Sequence, residues 1–395
     1  MREFTRIFRD VASKLNQFVK NVVGDSGKVL KNFLKDFWWG MLAKQSVLLS
    51  EISRGNKRDG LLKKQIERLG NCLTSFSFNE VLINYHRTIQ SEINDRTIFC
   101  IDNSDVAKPY GEKFEYLGQV RDGSTGEIEK GYDTVNIVAL SSKHKQPIPL
   151  YSKLISNIEI GYISHNDETE KALDCINRSF GSIGVKVFDR GYDDSKLMRY
   201  LINNKEKFII RCKKNRDVIT NGTKFDIMDI PKEPAFAIQS KFQRGKKQWL
   251  LTFKKYLVKV SEISLNLVTV EGFGKDPMFL LTNLSLDKEF EQTVVKIYML
   301  RWKVEEKFRF EKDVFNLENF RVRNMKAMRN IVLLTSMLVG FLAVICEHQT
   351  SKLFKKLLAC SQRLPKKPKK NHLYFYSISR AISNLLQSQI IFSSG

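Results

Sequence analysis

The residues between positions 298 and 312, YMLRWKVEEKFRFEK, include side chains suited to metal and phosphate chemistry. Steps of three, four and seven residues separate Tyr298, Arg301, Glu305 and Lys312. In one continuous helix, these four would share an edge covering about 60° of the circumference. A carboxylate, two cations and a phenol on one edge could hold a metal ion and grip a phosphate. The alternative is a solvated helix edge with charge pairs between successive turns.

The same helix has an apolar stripe beside that edge. Leu300, Val304 and Phe308 recur at steps of four. Such a stripe predicts that this face of the helix enters the core.

Two aspartates follow short apolar runs that predict buried strands. Thr97–Ile101 precedes Asp102, and Val185–Phe188 precedes Asp189. Asp105 is the rival to Asp102, three residues further on. An aspartate at a strand end is often only a turn or cap residue. With the helix glutamate, however, these two provide the hard oxygen ligands that Mg²⁺ prefers.

The overall charge indicates a polyanionic partner. The chain has 395 residues, a net charge of +23 and a pI near 9.6. Nucleic acid and an anionic membrane surface both fit this charge. The apolar run Ile331–Cys346 has 16 residues, which is short of the roughly 20 that cross a bilayer. We therefore expect a fully buried helix there.

Nucleophilic and zinc chemistry have no support in the sequence. The six cysteines form no CxxC pair, and the five histidines are scattered through the chain. We expect buried thiols in a reducing compartment. The N-terminus lacks the apolar region of a secretory signal.

The patterns along the chain predict three kinds of region. A basic helical stretch comes first, with apolar residues recurring at Phe8, Val11, Leu15, Phe18 and Val22. An α/β stretch follows, with strands or helices expected at Val135–Leu140, Ile148–Leu154, Asn166–Phe180, Leu197–Asn203 and Phe208–Cys212. Further strands are expected at Pro234–Ile238, Leu250–Lys259, Ser264–Glu271 and Met278–Leu281.

The β-rich stretch and the C-terminal tail are both basic. Lys241–Lys259 holds seven basic residues and no acid, with Trp249 among its aromatics. This composition favours a nucleic-acid surface, although strand alternation could also bury the aromatics. The tail has no acidic residue after position 350; it contains a linker at Pro365 and Pro368, and a short helix is expected at Ala381–Ile391.

Taken together, these motifs resemble the DDE transposases of prokaryotic insertion sequences, specifically the IS-four family with its Y-R-E-K signature. The likeness covers about residues 97–345 and rests on the blocks IDNSD, VFDRGYDD and YMLRWKVEEKFRFEK. It implies an α/β fold: a ribonuclease-H-like mixed-sheet catalytic core with a β-rich insertion, preceded by an α-helical DNA-binding region.

The resemblance also implies the site. Asp102, Asp189 and Glu305 would be the catalytic, metal-binding triad for two Mg²⁺ ions, with Mn²⁺ as a substitute. Two such cations about 4 Å apart activate a water and stabilise a leaving 3′-oxygen. The residues implied to contact DNA are Tyr298, Arg301, Lys312, Lys108, Arg190 and Trp249.

The expected domains are a helical DNA-end-binding region (1–95), a catalytic core (96–212 and 290–346), the insertion (213–289) and a basic tail (347–395) that binds DNA or dimerises. The expected partner is double-stranded DNA, both transposon ends and target, bound by a homodimer in a synaptic complex. No membrane partner is expected, and the protein should be cytoplasmic and nucleoid-associated. The alternatives are a structure-selective ribonuclease-H-like nuclease and a non-catalytic DNA-binding regulator.

Overall fold

The chain opens with a run of helices, continues with an α/β stretch and a run of strands, and ends with helices, much as the hydrophobic patterns predict. The computed structural model describes residues 2–56, 60–123, 125–230, 237–244, 247–285, 290–361 and 373–392. The helices are α1 (Arg2–Val23), α2 (Lys28–Lys44), α3 (Leu49–Arg54), α4 (Leu62–Ser75), α5 (Asn79–Ile89), α6 (His165–Phe180), α7 (Ser195–Asn203), α8 (Phe290–Met299), α9 (Trp302–Phe315), α10 (Met325–Glu347), α11 (Lys352–Cys360) and α12 (Phe375–Phe392). The strands are β1 (Ile98–Ala107), β2 (Gly118–Arg121), β3 (Ile128–Leu140), β4 (Pro147–Ile155), β5 (Val185–Phe188), β6 (Lys207–Arg211), β7 (Asp217–Thr220), β8 (Thr223–Asp226), β9 (Ala237–Arg244), β10 (Lys247–Val260), β11 (Ile263–Glu271) and β12 (Met278–Thr282).

Two compact units divide the chain. The first comprises Met1–Asn94, Asn103–Phe180 and Val304–Gly395. The second comprises Asp95–Asp102 and Gly181–Lys303. The division therefore falls within strand β1 and within helix α9.

In the first unit, the N-terminal helices form around their apolar faces. Val11, Leu15 and Val22 of α1 are buried, as the three- and four-residue spacing predicts. Phe18 packs on Phe341 of α10, with ring centroids 5.2 Å apart. The helical character of this region is confirmed.

Helix α10 is the central helix of the first unit. It is long and apolar enough to cross a membrane, but 89% of its most apolar window is buried within the protein. Trp38 of α2 donates its indole N–H to the Leu334 carbonyl at 2.9 Å, which ties α10 to the N-terminal helices. The expected buried helix at Ile331–Cys346 is confirmed, with longer bounds.

The sheet of the first unit is antiparallel. β3 pairs with β2 through Gly118↔Gly131 and with β4 through Asp133↔Ile155. The later residues of β1 lie beside β3, where the Lys108 N–H donates to the Lys130 carbonyl at 2.7 Å.

The sheet of the second unit is mixed. The start of β1 pairs in parallel with β5, and β5 pairs in parallel with β6. β12, β11 and β10 continue as antiparallel neighbours, and β9 and β7 both pair with β10. This arrangement confirms the predicted α/β class with a ribonuclease-H-like mixed sheet and a β-rich insertion.

Several boundaries differ from the predictions. Strand β1 does not end before Asp102, because the extended backbone continues to Ala107 alongside β3. Consequently Asp105 lies on the strand and not in a loop. Strands β2, β7 and β8 and helix α11 were not predicted. The first residues of the expected strand Pro234–Ile238, and Pro365 and Pro368, lie outside the described residues.

The predicted single helix over the signature residues is wrong. Helix α8 ends at Met299 and α9 begins at Trp302. Between them, Leu300 N–H donates to Ile297 O at 3.0 Å and Arg301 N–H to Tyr298 O at 2.9 Å. These bonds join residues three apart, so the chain forms a 3₁₀-type turn. The regular α-helical spacing between the residues before and after the turn is therefore interrupted.

The break also alters the predicted apolar stripe. Val304 is fully buried, whereas Leu300 and Phe308 are only half-buried. The face of α9 that enters the core contains Lys307, Phe310 and Glu311 instead.

Candidate functional site

Parallel pairing brings two predicted aspartates to the same place in the second unit. β1 and β5 pair up to Ile101↔Phe188, and the next residues along each chain are Asp102 and Asp189. Neighbouring parallel strands that run in the same register deliver successive residues side by side. The two carboxylates therefore lie near each other, at the end of β5 and partway along β1.

One guanidinium lies between these carboxylates. Arg301 Nη1 is 2.5 Å from Asp102 Oδ2, and its Nε is 4.0 Å from Asp189 Oδ1. The Tyr298 hydroxyl donates to Asp189 Oδ1 at 3.0 Å. The structure thus brings Asp102, Asp189, Tyr298 and Arg301 together, and α8 and the 3₁₀ turn position the last two.

The electrostatics of this cluster favour the ionised form of Asp189. Burial acts to raise the pKa of Asp189, but the Arg301 charge and hydrogen bonds from Arg190 N–H and Tyr298 outweigh it and lower that pKa below its ordinary value. Burial, together with the Asp189 charge, raises the pKa of Tyr298 to about 12. Tyr298 is therefore a hydrogen-bond donor at neutral pH.

The other two signature residues lie in the first unit. Glu305 is half-buried in the first turn of α9. Lys312 Nζ lies 2.7 Å from Asp105 Oδ2 and 2.9 Å from Glu318 Oε1. Burial opposes the charged form of Lys312, yet these two carboxylates raise its pKa above the ordinary value. Asp105, the rival to Asp102, is thus a partner of Lys312.

The remaining predicted DNA contacts have different surroundings. Lys108 is buried; its ammonium donates to the carbonyls of Glu318 and Phe320 and lies 3.6 Å from the centroid of the Phe320 ring. Burial lowers its pKa to about 8. This placement favours an internal role for Lys108 over the predicted DNA contact.

Arg190 and Trp249 are more accessible. Arg190 is exposed directly after Asp189. Trp249 on β10 is half-buried, and its ring meets Phe273 edge-on at 5.5 Å. Lys246, which is part of the predicted basic segment Lys241–Lys259, lies outside the described residues.

The carboxylate oxygens are chemically suited to a divalent cation. Asp102 and Asp189 already face one shared positive charge, and oxygen donors of this kind are the ligands that Mg²⁺ takes. Within the described ranges, no three His, Cys, Asp or Glu side chains are gathered so that they could hold one ion. The complete metal-binding triad therefore stays a prediction.

A second polar cluster was missed at the sequence level. Lys307 and Glu311 are buried on α9 and contact Asn136, Ser152 and Ser336. The signal that could have revealed them is helical phase, since both fall on the same face as the buried Val304.

Comparison with known proteins identifies the family. The sequence matches the family described as the transposase DDE domain over residues 93–339. Among solved structures, the chain is similar to piggyBac transposase in a cryo-EM synaptic complex with hairpin DNA. The TM-score is 0.47 at 9% sequence identity, over 98% of this chain and 81% of that chain. Among curated proteins, no significant match is found. Because the match to the transposase DDE domain covers more than half of the sequence, the chain belongs to that family.

Proposed function

We propose that this transposase is of the IS-four type, and that it cleaves the ends of its own DNA element and joins the freed 3′-hydroxyl to target DNA. The observation that carries the proposal is the convergence of Asp102 and Asp189 on a single cation, Arg301, within the family-matched region. Double-stranded DNA is the partner that the family and the charge of +23 both support.

In this proposal, Asp102, Asp189 and Glu305 hold the divalent ions. When bound, such ions supply an activated water and charge stabilisation at the leaving oxygen. The Tyr298 hydroxyl donates to Asp189 Oδ1, and this hydrogen bond fixes the orientation of the Asp189 carboxylate. The planar guanidinium of Arg301 can donate two parallel hydrogen bonds to a phosphate, whereas the Lys312 ammonium binds a phosphate as a single compact charge.

Other regions would bind the remaining DNA. We assign the ends of the element to the helical region 1–95 and further phosphate contacts to the basic insertion 213–289. The tail 347–395 would bind DNA or dimerise, and the active form would be a homodimer in a synaptic complex within the nucleoid. Members of the family generally use divalent metal ions, and Mg²⁺ with Mn²⁺ as a substitute is the pair proposed here.

The test uses alanine variants of the three acids. Asp102→Ala, Asp189→Ala and Glu305→Ala should each abolish Mg²⁺-dependent cleavage of an end-containing duplex, while gel-shift affinity stays largely intact. Removing a ligand affects the reaction, whereas binding depends on phosphate contacts elsewhere. Glu306→Ala is the matched control on the same helix and should cleave near the wild-type rate. If any of the three variants cleaves at the wild-type rate, that residue is not part of the metal-binding triad, and Asp105 would be tested next.

Trp249 has a separate test because stacking and packing make opposite predictions. If its indole stacks on a base drawn out of the duplex, Trp249→Ala should impair processing of the second strand with little change in melting temperature. The Phe273 contact alone predicts a loss of about 1 kcal/mol of stability and normal products. Leu257→Ala, at an exposed position of the same strand, is the control.

A further inference from the structure

Helix α9 has an ion pair buried on the side that packs into the first unit. The side chains of Lys307 and Glu311 are 1% and 2% exposed, and their Nζ and Oε2 atoms lie 2.8 Å apart. Nothing in the proposed chemistry uses either residue.

Three other elements complete the hydrogen bonds of this pair. Lys307 Nζ donates to Asn136 Oδ1 of β3 at 2.9 Å and to Ser152 Oγ of β4 at 3.2 Å. The Ser336 hydroxyl of α10 is 2.8 Å from Glu311 Oε1 and 2.7 Å from Ser152 Oγ. The charges of α9 are therefore held by two strands and a helix at once.

Stability alone does not account for such an arrangement. Taking two charges out of water costs much of what their attraction returns, so an apolar pair of similar volume is often as stable or more stable. An apolar surface, however, tolerates small rotations of a helix. A network of fixed donors and acceptors is satisfied in one orientation, and a displaced helix leaves charges buried without partners.

The geometry of the helix connects this orientation to the site. Glu305 and Lys312 are seven residues apart, so they share one edge within about 20°. Lys307 and Glu311 lie about 120–160° away from Glu305 around the axis. A slip of one residue would turn Glu305 by about 100°.

We propose that the buried Lys307–Glu311 pair, with Asn136, Ser152 and Ser336, sets the rotation of α9 and so aims Glu305 and Lys312. These five are positioning residues. The inference rests on the proposed function, in which Glu305 is a metal ligand.

The experiment compares stability with reaction rate. In Lys307→Met/Glu311→Leu, the melting temperature should equal or exceed that of the wild type and end-DNA affinity should be unchanged. The single-turnover cleavage rate should fall about 10- to 100-fold, because displacement of a reacting group by about 1 Å has that cost. Glu311→Gln keeps one acceptor oxygen for Lys307, and its amide N–H can donate to the Ser336 hydroxyl, so this variant should retain most of the rate.

The control is another ion pair of the same unit. Arg329 and Glu159 join α10 to the loop after β4, and Arg329→Met/Glu159→Leu should cleave normally. A double variant at 307 and 311 that is stable and cleaves at the wild-type rate would overturn the proposal. If that variant does not fold, Ser336→Ala decides: slower cleavage at a near-native melting temperature supports positioning, and an unchanged rate refutes it.

A crystal structure of the double variant provides a reading that does not depend on activity. It should show α9 rotated relative to β3 and β4, and an unrotated helix would contradict the inference. If wild-type protein itself cleaves no end DNA, the proposed function fails, while the rotation of α9 still tests the role of the pair.

Discussion

Arg301 contacts both Asp102 and Asp189, which places a cation where the proposed chemistry needs one. Its guanidinium is close to Asp102 and to Asp189, and its charge helps to keep Asp189 ionised. A phosphate entering the site would compete with the two carboxylates for Arg301. A metal ion would compete with Arg301 for the two carboxylates. The residue is therefore both an electrostatic support and a proposed DNA contact.

Replacing Arg301 separates its charge from its shape. Arg301→Ala should slow cleavage more than Arg301→Lys, because Lys keeps the charge but not the bidentate fork. The single-turnover cleavage rate and the end-DNA affinity are measured for both variants. Near-normal activity in both variants would mean that this guanidinium is an ordinary ion-pair partner.

Removing the Arg301 charge should also change the pH dependence of stability. The folded-state pKa of Asp189 is below its ordinary value of 3.8, so Asp189 contributes stability above that value and loses it as the pH falls through the lower one. In Arg301→Gln, the pKa of Asp189 should rise and this acid-dependent contribution should shrink. A carboxyl carbon NMR titration of Asp189 measures the shift directly, and an unchanged pKa would contradict the account.

Lys108 offers a direct choice between an internal role and a DNA contact. Because the buried Lys108 ammonium donates to two backbone carbonyls, Lys108→Gln should lower the melting temperature and leave the salt dependence of DNA binding unchanged. Arg190→Gln, at an exposed site, should instead reduce the slope of log affinity against log salt by about one. A reduced slope for Lys108→Gln would restore the original prediction.

The pH dependence of Lys108 has a definite sign. Its folded pKa of about 8 lies below the ordinary 10.5, so between these values the unfolded chain binds the extra proton. Relative to Lys108→Gln, the wild type should therefore gain stability as the pH rises from about 8 towards 10.5. Denaturant unfolding over that range measures the gain.

On the scale of the secondary structure elements, helix α10 packs closely against Tyr85 of α5. A Cβ built at Gly340 would lie 1.9 Å from the Tyr85 hydroxyl oxygen, and that hydroxyl donates to the Pro149 carbonyl at 2.5 Å. Even a methyl group at this position would displace Tyr85 and break its hydrogen bond.

Two alanine substitutions test this packing. Gly340→Ala should lower the free energy of unfolding by about 1–3 kcal/mol through overpacking. Gly70→Ala is the control, since a Cβ on Gly70 of α4 would lie 3.8 Å from Leu49 Cδ1 of α3, which is an ordinary van der Waals distance. That substitution should raise stability by about 0.5–1 kcal/mol, as expected for a helix interior. Equal changes in the free energy of unfolding of the two variants would show that helix propensity alone determines the effect.

On the scale of the whole molecule, the net charge of +23 is the dominant feature for binding. Neutralising phosphates releases counterions, so affinity depends steeply on salt. If six to ten phosphates are contacted, affinity should fall about 10³- to 10⁵-fold between 50 and 200 mM salt.

The control is a duplex without the end sequence, which should bind more weakly but with a similar salt slope. Phosphate contacts are common to both duplexes, and base contacts are not. Fluorescence anisotropy over a salt series measures both slopes. Affinity that is nearly independent of salt would contradict a phosphate-dominated interface.

Local patterns in the sequence were sufficient for much of the fold and for part of the site. Apolar runs predicted the start of β1 and the whole of β5, and parallel pairing then explains why Asp102 and Asp189 meet. The three- and four-residue spacing in α1 and the apolar run of α10 predicted buried helices correctly. These features depend on periodicity and composition, which any short window of sequence contains.

Only the tertiary structure decided the features that depend on distant partners. Periodicity could not show the 3₁₀ turn at Leu300 and Arg301, the extension of β1 beyond Asp102, or the burial of Lys108 under residues 210 or more positions away. By residue type alone, Lys307 and Glu311 resemble a solvated pair, although helical phase places them on the face of Val304. They are buried because β3, β4 and α10 supply hydrogen-bonding partners, and those partners come together only when the chain folds.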